Sequence, residues 1–290
     1  MVPTNVNHAI PKAEGAEKIL EKLRFALRFP QMGLRYAIVE EAYSDTCQWL
    51  FSTPEYRNWQ DSSLYSCHRG FLWIKGKPGS GKSTIMKTLL SRTESLDSSL
   101  PNEKVLSYFF NARGDILERT TEGLYRSLLY QALENIPILP LEVTRGLNPE
   151  SLELFHRDGW QVDLLKNLLR KVVLLDLKVR FSCFIDALDE GDSENSVRNM
   201  VDFLESLSET AHQRGLRLSI CLASRHYPNI SLHRLQELNL DDHVGHMKDI
   251  DTYVRSKTMM SAPWSQRIWS LASKPDLLVY SCGWCWSSPS

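Results

Sequence analysis

The sequence predicts an α/β fold: a mostly parallel sheet with helices on both faces, preceded by a short helical arm. Apolar runs of strand length alternate with stretches of helical periodicity between Phe71 and Ala223, as in successive βαβ units. One run, Phe71-Leu72-Trp73-Ile74, feeds directly into the glycine-rich Gly76-Lys77-Pro78-Gly79-Ser80-Gly81-Lys82-Ser83-Thr84, and another, Phe181 to Ile185, ends in Asp186. A chain of 290 residues, 42% of them hydrophobic, can bury one sizeable core plus a smaller helical unit.

In chain order, residues 1–14 mix Pro, Asn and Gly with little periodicity and are expected to be flexible. A helical arm is expected over residues 15–64. Ile19, Leu20, Leu23 and Leu27 recur at helical spacing until Pro30 ends the pattern. A second helical pattern places Ile38, Ala42, Cys47, Trp49 and Leu50 on related faces before the turn-prone Ser52-Thr53-Pro54. The main domain is read over 65–260. Its strands are expected at Phe71–Ile74, Val105–Phe110, Phe181–Ile185 and Leu216–Ala223. Helices are expected after the glycine-rich loop, through Leu124–Leu133, around Leu164–Val173 and over Ser196–Leu207, with a turn-rich stretch at Pro137–Trp160. Residues 261–290 lose the pattern near Lys274 and are read as a divergent tail, truncated or frame-shifted. The Cys282-x-x-Cys285 pair inside that tail is a weak signal and is not read as a redox or metal site.

The glycine-rich stretch satisfies every fixed position of G-x-x-x-x-G-K-[ST]. Average residue frequencies give this match by chance in roughly one chain in a hundred of this length, before a flanking strand and helix are required. Gly76, Gly79 and Gly81 let backbone N–H groups turn inward on phosphates, and the helix begun by Ser83 and Thr84 aims its positive end at the same anion. Gly76, Gly79, Ser80, Gly81, Lys82, Ser83 and Thr84 are therefore the candidate contacts to a nucleoside triphosphate, ATP or GTP. Asp186, at the end of a strand, would hold Mg²⁺, through water. Asp189 and Glu190 follow just past the strand end, with Glu190 the first choice for a general base and Asp189 the second. Arg225 follows the strand ending at Ala223, so it emerges at the same carboxyl edge and could contact the γ-phosphate. Asn111-Ala112-Arg113-Gly114 could approach that edge too. The aromatic pair Tyr56 and Trp59 serves the core; the alternative is that the arm lies over the nucleotide base.

Composition narrows the partners. Lys plus Arg total 34 against 35 for Asp plus Glu, so there is no basic excess of the kind that marks nucleic-acid or membrane-surface binding. With no secretory start and no membrane-length apolar run, a cytoplasmic location is expected. The six cysteines form no disulfide or zinc framework and read as reduced thiols.

With the loop, the Asp186-x-x-Asp189-Glu190 group and Arg225 in this order, the chain resembles a NACHT-type domain of the STAND class of P-loop NTPases over Tyr36–Lys257. More narrowly, Thr46-Cys47-Gln48-Trp49-Leu50, Gly70-Phe71-Leu72-Trp73-Ile74, Phe109-Phe110-Asn111-Ala112-Arg113-Gly114 and Ser224-Arg225-His226-Tyr227-Pro228 resemble the nephrocystin 3-like N-terminal domain of fungal NLR-like proteins. The resemblance implies ATP or GTP bound with Mg²⁺, slow hydrolysis, and a switch whose triphosphate form exposes surfaces for self-association or for NLR-like signalling partners. It gives Lys82, Ser83, Asp186 and Arg225 the phosphate, metal and sensor roles. Such proteins usually continue into a winged-helix module and ligand-sensing repeats, which are not read here. A truncated, non-hydrolysing nucleotide-binding module is thus the alternative to an active NTPase. A P-loop small-molecule kinase would need an arginine-rich lid, and a GTPase would need D-x-x-G after the second strand; neither is found.

Overall fold

The computed structural model describes residues 10–44, 46–97, 103–134, 143, 147–175, 179–227 and 232–260. Both the early part of the N-terminal segment and the tail 261–290 lie outside them. Five strands, β1 (Phe71–Lys75), β2 (Glu103–Phe109), β3 (Arg180–Asp186), β4 (Leu218–Ser224) and β5 (Gln236–Asn239), form one sheet in the order β2-β3-β4-β1-β5. Every pairing is parallel, with Phe71 opposite Ile220, Phe181 opposite Leu218 and Phe109 opposite Asp186. A parallel sheet must cover both faces, and alternate side chains divide between two cores accordingly. Phe71, Trp73, Phe181, Cys183, Ile185, Leu218, Ile220 and Leu222 enter one core, and Leu72, Ile74, Phe184, Cys221 and Ala223 the other.

The first core is closed by α1 (Ile10–Leu27), α7 (Thr121–Glu134), α8 (Pro149–Asp158), α9 (Val162–Val173) and α10 (Glu194–Gln213). The second is closed by α5 (Lys82–Asp97), which buries Ile85, Met86, Leu89 and Leu90, and by arm residues including Leu50 and Trp59. Between these lie the short helices α2 (Leu34–Ile38), α3 (Pro54–Gln60), α4 (Tyr65–His68) and α6 (Ile116–Arg119). Helix α11 (Val244–Met260) follows β5.

Several elements differ from the sequence expectation for local reasons. Helix α1 begins at Ile10, inside the segment expected to be flexible. The second arm pattern does not form one helix: α2 stops at Ile38, Ser44 and Cys47 adopt positive φ (45° and 69°), and a 3-10 turn over Gln48–Ser52 carries Leu50 inward. Left-handed non-glycine residues end a helix. Strand β5 was not foreseen, nor was α8, whose start combines an Asn148 cap accepting from Ser151 N (2.7 Å) with Pro149 in the first turn.

The arm is bound into the domain by its polar groups as well as its apolar ones. Trp59 Nε1 donates to Gly70 O at 2.6 Å, and Lys87 Nζ of α5 donates to Val39 O at 2.6 Å while pairing with Glu41. Helices α1 and α7 exchange arginines. Arg24 donates to Leu133 O and Glu134 O at the end of α7, and Arg126 donates to Ala26 O, Leu27 O and Arg28 O at the end of α1. These are carbonyls that no intrahelical N–H reaches. On the outer edge of β2, Gln131 satisfies Ser107: its amide accepts from Ser107 N and donates to Ser107 O, both at 2.8 Å.

Arg126 is 5% exposed, so Arg126→Met leaves three carbonyls without their donor. We expect a loss of about 2–4 kcal/mol in urea-induced unfolding. A loss within experimental error would mean that α1 is an appendage and not part of the core.

Candidate functional site

Because every strand runs the same way, the loops after β1, β3 and β4 emerge at one edge. The loop after β1 turns through Gly79 (φ 74°) and Gly81 (φ 80°), a conformation that side chains resist, and α5 starts at Lys82. At Gly76 the limit is space: a Cβ would lie 2.9 Å from Ser80 Oγ and 3.2 Å from Leu240 Cβ. Lys82 folds back on its own loop, donating to Gly76 O (2.8 Å), Lys77 O (2.7 Å) and Ser80 Oγ (3.3 Å). Burial pulls the Lys82 ammonium below the usual lysine range, against the pull of Asp189 and Asp186.

Asp186 ends β3 at the position paired with Phe109 and is 1% exposed. Neither of its carboxylate oxygens has a hydrogen-bond partner among the described residues. Burial pushes its pKa up to about 6; Ser83 and the Ala187 N–H pull the other way without reaching bonding geometry. After it the chain passes through Ala187 (φ 56°) into a 3-10 turn over Leu188–Glu190. The two following acids are held differently. Asp189 accepts from the Arg225 backbone N–H at 2.9 Å and pairs with Arg225 Nε at 2.9 Å, its side chain 5% exposed. Glu190 accepts from Ala112 N through one oxygen at 3.0 Å. The 111–114 segment therefore does reach this edge.

One partner escaped the sequence reading. Asp241, just past β5, accepts from Lys77 N at 2.9 Å and lies 2.8 Å from His226 Nε2, joining the loop to the exit of β4. Although burial opposes it, His226 and the Lys77 N–H hold this carboxyl below the usual range. The alternation Leu238-Asn239-Leu240 was the available signal for β5, and Leu238 and Leu240 are both buried. The arm reaches the loop as well. A cavity of about 410 Å³ lies beside the loop, walled by Gly79, Gly81 and Thr84, by Tyr43, Thr46 and Cys47 of the arm, and by Ile250 and Tyr253 of α11. Tyr56 and Trp59, in contrast, pack with the second core. A larger cleft of about 600 Å³ runs along the outer side of β2 between Phe29, Tyr36 and Tyr130 and includes neither the loop nor residues 186–190.

The residues fit a nucleoside triphosphate with Mg²⁺. A glycine-turned loop leads into the N-terminus of a 16-residue helix, whose first-turn N–H groups have no intrahelical acceptor. Ser83 and the unpartnered Asp186 carboxylate supply hard oxygen donors. Among the described residues no group of three or more His, Cys, Asp or Glu side chains could hold a metal alone. That suits Mg²⁺, which commonly takes one or two protein oxygens and completes its shell with phosphate and water. Among the described residues no helix is long and apolar enough to cross a membrane.

A family model described as nephrocystin 3, N-terminal, matches residues 45–225, a span holding the loop, the acidic group and Arg225. No curated protein matches significantly. Among solved structures, the chain is similar to one in Drosophila ORC bound to DNA, at 12% identity and a TM-score of 0.39, over 87% of this chain and 55% of that one. It is also similar to the Aeropyrum pernix ORC2 protein in its ADP form, at 13% identity and a TM-score of 0.42, over 77% and 56%. The chain spans about half the length of these two.

The state of Asp186 has a measurable consequence. With a folded pKa of about 6 above the ordinary value near 4, the native protein keeps a proton that the unfolded chain gives up. Stability from this group is therefore lost as pH rises from about 4 to about 6, by up to about 3 kcal/mol. Asp186→Asn should remove that loss, leaving the ligand-free variant more stable than the parent at pH 7 but not at pH 4. Denaturation curves of the two proteins that stay parallel from pH 4 to 7 would contradict the burial argument.

Proposed function

Because the chain belongs to the nephrocystin 3 N-terminal family, we propose that this P-loop nucleotide-binding domain is a nucleotide-dependent signalling or assembly switch that hydrolyses ATP or GTP slowly with Mg²⁺. The observation that supports it most is the Asp186 carboxylate, buried at the strand end near Ser83 and without a hydrogen-bond partner among the described residues. A cation shared with Ser83 and the phosphates would give it one. Mg²⁺, when bound, neutralises charge on the β- and γ-phosphates.

The chain's own residues take the remaining tasks. Lys82 exchanges the carbonyls of Gly76 and Lys77 for the β- and γ-phosphates, giving up bonds to neutral acceptors for charged ones. The N–H groups of the loop and of Lys82, Ser83 and Thr84 hold the phosphate chain. Glu190 orients the attacking water and accepts its proton. Asp189 has both oxygens on Arg225, whereas Glu190 gives one oxygen to one backbone N–H, so Asp189 is the alternative base once the Arg225 side chain has left it. Arg225 reports the γ-phosphate by leaving Asp189 for it. The triphosphate form would then present surfaces for self-association or signalling partners, a role that family membership alone supports.

A second reading, a nucleotide-holding interaction module with little or no turnover, is favoured by the same ion pair. Arg225 is engaged through both its backbone N–H and its Nε, so hydrolysis requires that pair to open.

Calorimetry with ATP, GTP and ADP in Mg²⁺, alongside phosphate release, separates these readings. Lys82→Ala should weaken triphosphate binding by about 10- to 100-fold or more, the range for one hydrogen-bonded charge. Glu190→Gln should bind normally and stop phosphate release. Undiminished binding by Lys82→Ala would overturn the site assignment, and unchanged turnover by Glu190→Gln would move the base role elsewhere.

A further inference from the structure

The cavity beside the phosphate loop has one wall from the arm and one from α11, segments some two hundred positions apart in the chain. A carboxylate on α11 hydrogen-bonds to the arm. Asp249 Oδ2 accepts the Cys47 backbone N–H at 2.5 Å and the Trp49 indole N–H at 2.7 Å. The Trp49 ring stacks on His243 with centroids 4.0 Å apart, and Gly245 passes so close that a Cβ there would lie 2.5 Å from Trp49 Cγ. Tyr43 and Tyr253, both lining the cavity, meet edge-on at 6.2 Å.

His246 on α11 is buried, 6.1 Å from the Trp49 ring, but much of the helix's apolar side is open. Val244, Met247, Ile250 and Val254 are 66, 59, 47 and 50% exposed, whereas buried apolar stripes hold α5 and α10 to the sheet. On the arm side, Cys47 sits at φ 69°, a conformation costly for a non-glycine residue, and its N–H is the one Asp249 takes. One acceptor thus ties a strained turn in one wall to the other wall, beside the ring contacts of Trp49 and Tyr43. Cys47 lines the cavity directly, and Ile250 and Tyr253 follow Asp249 on its helix.

We propose that Asp249 is a positioning residue which clasps the arm to α11 around the nucleoside end of a bound triphosphate and sets how long that nucleotide stays. The inference rests on the nucleotide reading above. The phosphates are held by the loop and the nucleoside by the walls, so breaking the clasp loosens only the nucleoside end. Nucleotide exchange then proceeds through separation of arm and α11, with the loop intact.

The test uses the whole chain and two probes, a fluorescent ATP analogue and inorganic tripolyphosphate, each with Mg²⁺. Asp249→Ala removes the shared acceptor; Trp49→Phe removes one donor and keeps a ring to stack on His243. Chasing the analogue with excess ATP, we expect release to speed up by about tenfold or more for Asp249→Ala and by a smaller factor for Trp49→Phe. Tripolyphosphate, which has no nucleoside to reach the walls, should bind both variants as it binds the parent. Unchanged analogue release would overturn the clasp. Equal weakening of tripolyphosphate would overturn it as well, because Asp249 would then act through the loop or the fold. If the parent chain holds neither probe, the nucleotide reading itself fails and the clasp goes with it.

Discussion

All five strands run in one direction, and the rest of the molecule depends on that constraint. A parallel pair cannot be closed by a tight turn, so each strand must be followed by a crossover, and the crossovers must cover both faces. The strand ends then share one edge, with β1 flanked by β4 and β5. The loop after β1, the acids after β3, Arg225 after β4 and Asp241 after β5 meet there because no other edge receives a strand's carboxyl end. The order places β4 between the loop strand and the acidic strand, which is how Arg225 comes to touch Asp189.

The polar groups of that edge are nearly self-sufficient. Lys82 is satisfied by loop carbonyls, Asp241 by Lys77 and His226, Asp189 by Arg225, and Glu190 by Ala112. Asp186 stands apart, buried and without a hydrogen-bond partner among the described residues. A buried unpaired carboxylate is disfavoured, and its raised pKa expresses this. Such a group persists where it serves a ligand. Binding a triphosphate with a divalent cation would convert the least favourable group on the edge into a coordinated one, while Lys82 and Arg225 trade internal acceptors for phosphate oxygens.

What could be read from the sequence was what local chemistry dictates. The loop was legible because Gly79 and Gly81 are needed for their φ and Lys82 and Ser83 follow at fixed offsets. Four strands were legible because each is an apolar run, even though Glu103 and Lys104 extend β2 beyond its apolar part. Strand β5 escaped because it is four residues long and carries polar residues at three positions. Helix α8 escaped because Asn148-Pro149 reads equally well as a turn. The arm pattern around Cys47 was misleading: its apolar spacing suits a helix, but Cys47 gives its N–H to Asp249, a residue no local rule connects with it. The Arg225–Asp189 and Asp241–Lys77 contacts were hidden for the same reason, since each depends on strand order.

The most direct measurement is calorimetric titration of ATP into the whole chain and into Asp186→Asn at pH 6, with and without Mg²⁺, in buffers of different ionisation enthalpy. The account predicts binding strengthened by Mg²⁺ in the parent chain and a release of protons that the variant lacks, because the cation must displace the proton held by Asp186. Binding of equal strength with and without Mg²⁺, or identical proton release by the two proteins, would contradict it.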